Sequence, residues 1–228
     1  MKQQNFCAAV EAALAPLGSD ERRAPMQAYM KGRFAFLGVQ TPPRRAATMP
    51  LIRALGTPES AWLLDTAAAL WQRPEREYQY VAVDLLARHH RQLRLEHVPA
   101  LLVLARDKAW WDSVDGLAGV VGDVLRAARR DTAAAQTVMD AALVHADFWL
   151  RRIAMLHQLG WRADTDVGRL FDYARRLAPE PEFFIRKAIG WALRDYARHD
   201  AAAVRGFVAQ MGAALSPLSR REAMKHIG

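Results

Sequence analysis

Four aromatic residues recur along the chain at nearly even intervals: Tyr78, Trp111, Trp149 and Phe184, separated by 33, 38 and 35 residues. They head four similar blocks, EYQYVAVDLL, WWDSVDGLAG, FWLRRIAMLH and FFIRKAIGWA. A second amphipathic segment and a loop follow each block. Two helices per unit at this period mark a HEAT-like solenoid, in which each helix pair buries the apolar face of the next. A generic bundle of helices of similar length is the alternative, and both are all-α. No turn dipeptide separates alternating apolar runs, so hairpins are not expected. Ala, Leu and Arg, all strong helix formers, dominate the segments between prolines. Thr41 followed by Pro42 reads as an N-cap with proline at the first helical position. The spacing predicts an all-α, HEAT-like helical repeat solenoid (an α-α superhelix). It is expected to form one domain over 1–228 and to offer a concave surface.

Charge narrows the partner. The formal net charge of +8 calls for an anionic ligand, most simply nucleic acid, although a solvated surface also carries such charge. Cys7 is the one cysteine, which removes a disulfide framework and a cysteine metal site. His89 and His90 are adjacent, the wrong spacing for two ligands on one helix face. No cofactor or metal is expected. The first residues carry Glu11 and lack a long apolar core, so they make a poor signal peptide. No uncharged apolar run is long enough to cross a bilayer. A cytoplasmic, monomeric protein with no membrane contact is the expectation.

Polar residues then fall on the repeat in a telling way. Asp115 lies four residues after Trp111, Arg152 three after Trp149, and Trp191 seven after Phe184. Offsets of three, four and seven share one helix stripe with offset zero. If successive helices stack in register, Trp111, Asp115, Arg152 and Trp191 project from one face. Each has a plainer reading. A tryptophan on an apolar helix is more often core. Asp115 would be satisfied by an arginine partner or a cap, and Arg152 by an ion pair, as Arg151 should be. Together they suit particular chemistry. A carboxylate between indoles favours a nearby cation in a water-poor site, and arginine suits a phosphate. An alkylated purine nucleotide losing its base presents both, with the sugar passing through an oxocarbenium-like state.

At this point the sequence resembles a known family, the AlkD-type DNA alkylation repair glycosylases built from HEAT-like repeats. The matching segments are YMKGRFAFLGVQTPPRR (29–45), WQRPEREYQYVAVDLL (71–86), KAWWDSVD (108–115), WLRRIAMLHQL (149–159), EFFIRKAIGWALRDYAR (182–198) and LSPLSRREAMKHI (215–227). They run in order across nearly the whole chain. The resemblance implies a monofunctional glycosylase for cationic N3- and N7-alkylated purines in double-stranded DNA, acting without base flipping and with no nucleophilic lysine. It implies that Asp115 is the catalytic carboxylate, Trp111 and Trp191 its aromatic walls, and Arg152 the holder of the lesion-side phosphate. Tyr29 is implied at the cleft edge.

Lys31, Arg33, Arg44, Arg45, Lys187, Arg194, Arg220, Arg221 and Lys225 lie in or beside these segments, and some are expected to touch phosphates. Phe183 and Phe184 read as core support. The competing reading is a HEAT-like scaffold that binds DNA without chemistry. It need not keep Trp111, Asp115, Arg152 and Trp191 together. A protein adaptor that ignores DNA is disfavoured by the charge.

Overall fold

The computed structural model describes residues 2–128 and 133–227. Regular structure among them is all-α: thirteen α-helices, short 3-10 turns, and one isolated bridge between Ala35 and Glu75. The helices group into two compact units that meet in sequence at Leu93 and Arg94. No helix of the described residues is long and apolar enough to cross a membrane.

The first unit holds α1 (Gln3–Leu14), α2 (Asp20–Tyr29), α3 (Thr41–Arg53), α4 (Ser60–Gln72) and α5 (Arg76–Arg88). Phe6, Leu14, Ile52, Leu63, Leu70, Trp71 and Leu85 are buried at its centre. Helices α3 and α5 are neighbours running in the same direction. Arg44, near the start of α3, pairs with Asp84, while Ile52 near its end accepts from the ring of His89 at 3.0 Å. The loop before α3 is fastened by the buried Glu77. Its carboxylate accepts from the backbone N–H groups of Leu37, Gly38 and Val39 at 2.9–3.0 Å. Burying a carboxylate is costly unless it is fully hydrogen-bonded, and three backbone donors meet that need.

One boundary differs from the sequence reading. Gln40, not Thr41, occupies the N-cap position of α3, and no side chain caps it. The reason is local. The Arg44 N–H, the donor a Thr41 cap would use, goes to the Gln40 carbonyl at 3.0 Å, which makes Thr41 the first helical residue, and Pro42 and Pro43 leave the Gln40 side chain no N–H to accept from.

The second unit holds α6 (Val98–Arg106), α7 (Trp111–Ala128), α8 (Thr137–Leu143), α9 (Phe148–Leu156), α10 (Val167–Leu177), α11 (Phe183–Ala197), α12 (Ala201–Met211) and α13 (Pro217–Met224). Leu117, Val121, Leu125, Ile153, Trp161, Ile185 and Leu193 are buried in it. Helix α9 packs between α7 and α11, and α11 packs on α13. The repeated aromatics stand in the first turn of every second helix: Tyr78 in α5, Trp111 in α7, Trp149 in α9 and Phe184 in α11. Two glycines set how closely these helices approach. A Cβ on Gly122 of α7 would lie 1.9 Å from the carbonyl oxygen of His157, just past α9. A Cβ on Gly190 of α11 would lie 2.4 Å from Cβ of Glu222 on α13. Any other residue would force the helices apart.

Candidate active site

The close approach at Gly122 brings the second turn of α7 against the middle of α9. There Arg152 grips Asp115 with two parallel hydrogen bonds, Nε to Oδ1 at 2.7 Å and Nη2 to Oδ2 at 2.8 Å. The Arg152 side chain is 1% exposed and that of Asp115 is 22% exposed. Its remaining guanidinium nitrogen, Nη1, donates to the backbone carbonyl of Phe184. The guanidinium carbon lies 5.4 Å from the ring centroid of Trp191. Asp115, Arg152 and Trp191 therefore meet, on three different helices. Trp111 stands one turn ahead of Asp115 on α7, half-buried.

This changes the reading of Arg152. A guanidinium so deeply buried needs an anion within the protein, and its three nitrogens are all engaged there. In the structure it is a clasp on Asp115, with the second N–H of Nη1 and of Nη2 not used by these three bonds. The clasp uses one lone-pair direction of each carboxylate oxygen, and the others remain for a water or a cation. Burial pushes the Asp115 carboxyl above its ordinary value. The hydrogen bonds and charge of Arg152 oppose this, and Asp112 adds a smaller upward push.

Trp191 is held from the far side. Lys187, Trp191 and Arg194 share one stripe of α11, and all three converge on Glu222 of α13. Lys187 Nζ donates to Oε1 at 2.8 Å, and Arg194 Nη1 to Oε2 at 2.7 Å. The indole N–H of Trp191 donates to the same carboxylate, and these donors pull the Glu222 carboxyl below its usual value, led by Lys187. Lys187 Nζ also lies 5.3 Å from the Trp191 ring centroid, and the guanidinium carbon of Arg194 5.9 Å. Glu222 escaped the sequence reading although it sits inside SRREAMKHI. The available signal was a tryptophan between two cations on one stripe of α11, which calls for an anion on the helix packed against it.

Behind the site, Trp110, Phe148, Trp149 and Phe184 form an aromatic cluster. The Phe184 centroid lies 5.2 Å from that of Trp110 and 5.0 Å from that of Trp149. Phe184 is the core support expected of it, but Phe183 is 55% exposed. The two are consecutive on α11, about 100° apart around the axis, and one rotation carries Phe183 off the packed face.

The other expected DNA-contacting residues divide by burial. Tyr29 is 68% exposed, and Lys31, Arg33, Arg45, Arg220, Arg221 and Lys225 are exposed. Arg220 donates to the Gly212 carbonyl. Arg44 is buried, 2.7 Å from Asp84 and over the Tyr80 ring, and so is tied into the packing of α3 against α5. Lys187 and Arg194 are partly buried and committed to Glu222. Arg151 is ion-paired, as expected, donating to Glu180 at 2.9 Å. Among the described residues no group of three or more His, Cys, Asp and Glu side chains is arranged to hold a metal ion.

The model of the DNA alkylation repair enzyme family matches residues 10–227 of the chain. Among solved structures, a predicted DNA alkylation repair enzyme from Enterococcus faecalis superposes with a TM-score of 0.85. It is 34% identical, over 92% of this chain and 97% of that one. No curated relative matches.

Proposed function

Because the chain belongs to the DNA alkylation repair enzyme family, we propose that it is a monofunctional DNA glycosylase. It hydrolyses the N-glycosidic bond of cationic N3- and N7-alkylated purines, such as 3-methyladenine and 7-methylguanine, in duplex DNA. The lesion stays in the stack and is not turned into a pocket, in contrast to the usual base-flipping enzymes. The observation that carries the reading is the half-buried Asp115 carboxylate, oriented by Arg152 beside Trp191 and one turn from Trp111.

The chemistry asks little more of the protein. An alkylated purine cation is already a good leaving group. The C1′–N bond breaks with its electron pair going to the base, which departs neutral, and positive charge develops on the sugar. In this reading a fixed negative charge at Asp115 stabilises that cation, and its partial burial would make the interaction stronger than in water. Trp111 and Trp191 offer π faces to the same charge. A water held on a free lone pair of Asp115 attacks C1′ and passes its proton toward the carboxylate. The products are the free base and an abasic site. Arg152 is a positioning residue in this scheme, and Glu222 positions Trp191.

Double-stranded DNA is the partner that the net charge of +8 suits. We take the enzyme to work as a cytoplasmic monomer. The direct test is product analysis on a duplex bearing 7-methylguanine. Free base together with an abasic strand that breaks only under alkali supports the reading. Strand cleavage by the protein itself argues for a lyase and against it, and bound DNA with no base release argues for a scaffold.

A further inference from the structure

Helix α7 carries a glycine that its own packing does not ask for. Gly119 lies in the middle of the helix, exposed, and its φ is not positive. A Cβ built on it would find no heavy atom of the described residues within 4 Å, its own helix backbone aside. Gly122, one turn on, is the opposite case, because the His157 carbonyl stands where its side chain would be. A glycine inside a helix weakens it, since its backbone loses the most freedom on folding. Alanine would fit at 119 and favour the helix. Position on the helix supplies the reason that packing does not. Trp111, Asp115 and Gly119 follow one another at intervals of four residues on one stripe of α7. They stand roughly 6 Å apart along the axis, at 1.5 Å per residue. Asp115 is the middle one, its carboxylate 22% exposed and fixed by Arg152. Trp111 raises an indole on one side of it, and on the other the main chain of α7 lies bare. An aspartate side chain is short, so a group that is to meet it must come close to the helix, and glycine is the residue that lets a ligand approach a backbone.

We propose that Gly119 is a positioning residue for base release, leaving the clearance on α7 that lets the lesion sugar come down onto Asp115. The inference rests on the glycosylase reading and adds a residue to it that has no side chain to contribute. A strand advances by roughly 3.4 Å per nucleotide, so a point one helix turn from Asp115 is within reach of the nucleotide beside the lesion. That nucleotide lies over Gly119. Any side chain there meets it first, lifts it from α7 and carries the lesion sugar away from the carboxylate.

The test sets stability against rate in wild type, Gly119→Ala and Gly119→Leu. Urea unfolding is measured with single-turnover base release from a 7-methylguanine duplex at saturating enzyme. Both variants should unfold at higher urea than wild type, since alanine and leucine favour the helix and meet nothing in the protein. Release should nevertheless slow, about tenfold for alanine and about a hundredfold for leucine, because a misplacement of about 1 Å at the reacting atoms costs that much. A glycine with a merely structural role would move stability and rate together. Gly206 is the control. It is also exposed and open, on α12, which carries none of Trp111, Asp115, Arg152 and Trp191. Gly206→Leu should gain stability and keep the wild-type rate. Wild-type release by Gly119→Leu overturns the proposal, as does equal slowing in Gly206→Leu. Lower stability in both Gly119 variants overturns it too, because the glycine then serves packing. So does weaker duplex binding with an unchanged rate at saturation, since the side chain would then obstruct docking without holding the sugar off Asp115. Failure of the glycosylase reading looks different, since wild type itself then releases no base.

Discussion

Arg152 and Asp115 are joined edge to edge by two hydrogen bonds of 2.7 and 2.8 Å, with the arginine 1% exposed and the aspartate 22%. The asymmetry matters. The carboxylate reaches toward solvent and substrate, while the guanidinium is sealed behind it, so the pair presents a fixed negative charge on an immobile base.

Arg152→Lys should therefore fail to rescue. A lysine ammonium cannot span both Asp115 oxygens and the Phe184 carbonyl, and the substitution should cost about 3 kcal/mol, as breaking a buried pair does. Urea unfolding would measure the loss. Base release should fall with it, at least tenfold at saturating enzyme under conditions where the variant is folded. A lysine variant as stable and active as wild type would remove the clasp from the account.

The acid limb of base release should report Asp115. Only the ionised carboxylate stabilises the sugar cation, and its proton affinity is raised by burial. Activity should thus begin to fail above the ordinary carboxylate range, near pH 4, as pH drops. Asp112 contributes to the rise, so Asp112→Asn should move the acid limb to lower pH. Rates corrected for spontaneous base loss would show it, and an unmoved limb would argue against Asp115 as the titrating group.

Glu222→Gln should separate positioning from folding. The amide still accepts from the Trp191 indole but leaves Lys187 and Arg194 without their anion. We expect a roughly tenfold loss in single-turnover rate, with most of the helical signal retained and binding of undamaged duplex little changed. Gly190→Ala is the harsher test, because the new methyl meets Glu222 Cβ and the Ser219 carbonyl oxygen, 2.4 and 2.9 Å away. It should cost about 1–3 kcal/mol and displace α13. Equal rates in Glu222→Gln and wild type would leave α13 with a packing role alone.

His157 sets a pH dependence of stability unrelated to catalysis. It is fully buried, hydrogen-bonded to the Ala154 carbonyl at 2.7 Å, and burial lowers its pKa to about 4. The unfolded chain takes up this proton near pH 6.5 and the folded chain only near pH 4. In that window the unfolded state binds more protons, so stability falls as pH drops, by on the order of 3 kcal/mol. Urea midpoints from pH 8 to pH 4 should fall more steeply in wild type than in His157→Gln. Parallel profiles would show that the ring is protonated in the fold.

Much of this was written in the sequence, for a physical reason. The aromatic period fixes which helices are equivalent, and the stripe rule then brings Asp115, Arg152 and Trp191 onto one face. Spacing is silent about what a side chain meets there. Arg44 and Arg45 are adjacent and chemically identical, yet one is buried against Asp84 and the other is exposed, because neighbours on a helix point about 100° apart. The same rotation separates Phe183 from Phe184. The sequence does not reveal how deep Arg152 lies, 1% exposed, or that it grips a carboxylate. Its burial made Asp115 its partner.

The most direct measurement is base release from duplex DNA carrying 7-methylguanine, by wild type and by Asp115→Asn, with duplex affinity and folding measured for both. The account predicts release by wild type and a loss of at least a hundredfold in the variant, with DNA still bound by folded protein. Equal release by both would contradict it, since the carboxylate would then have no part in the reaction.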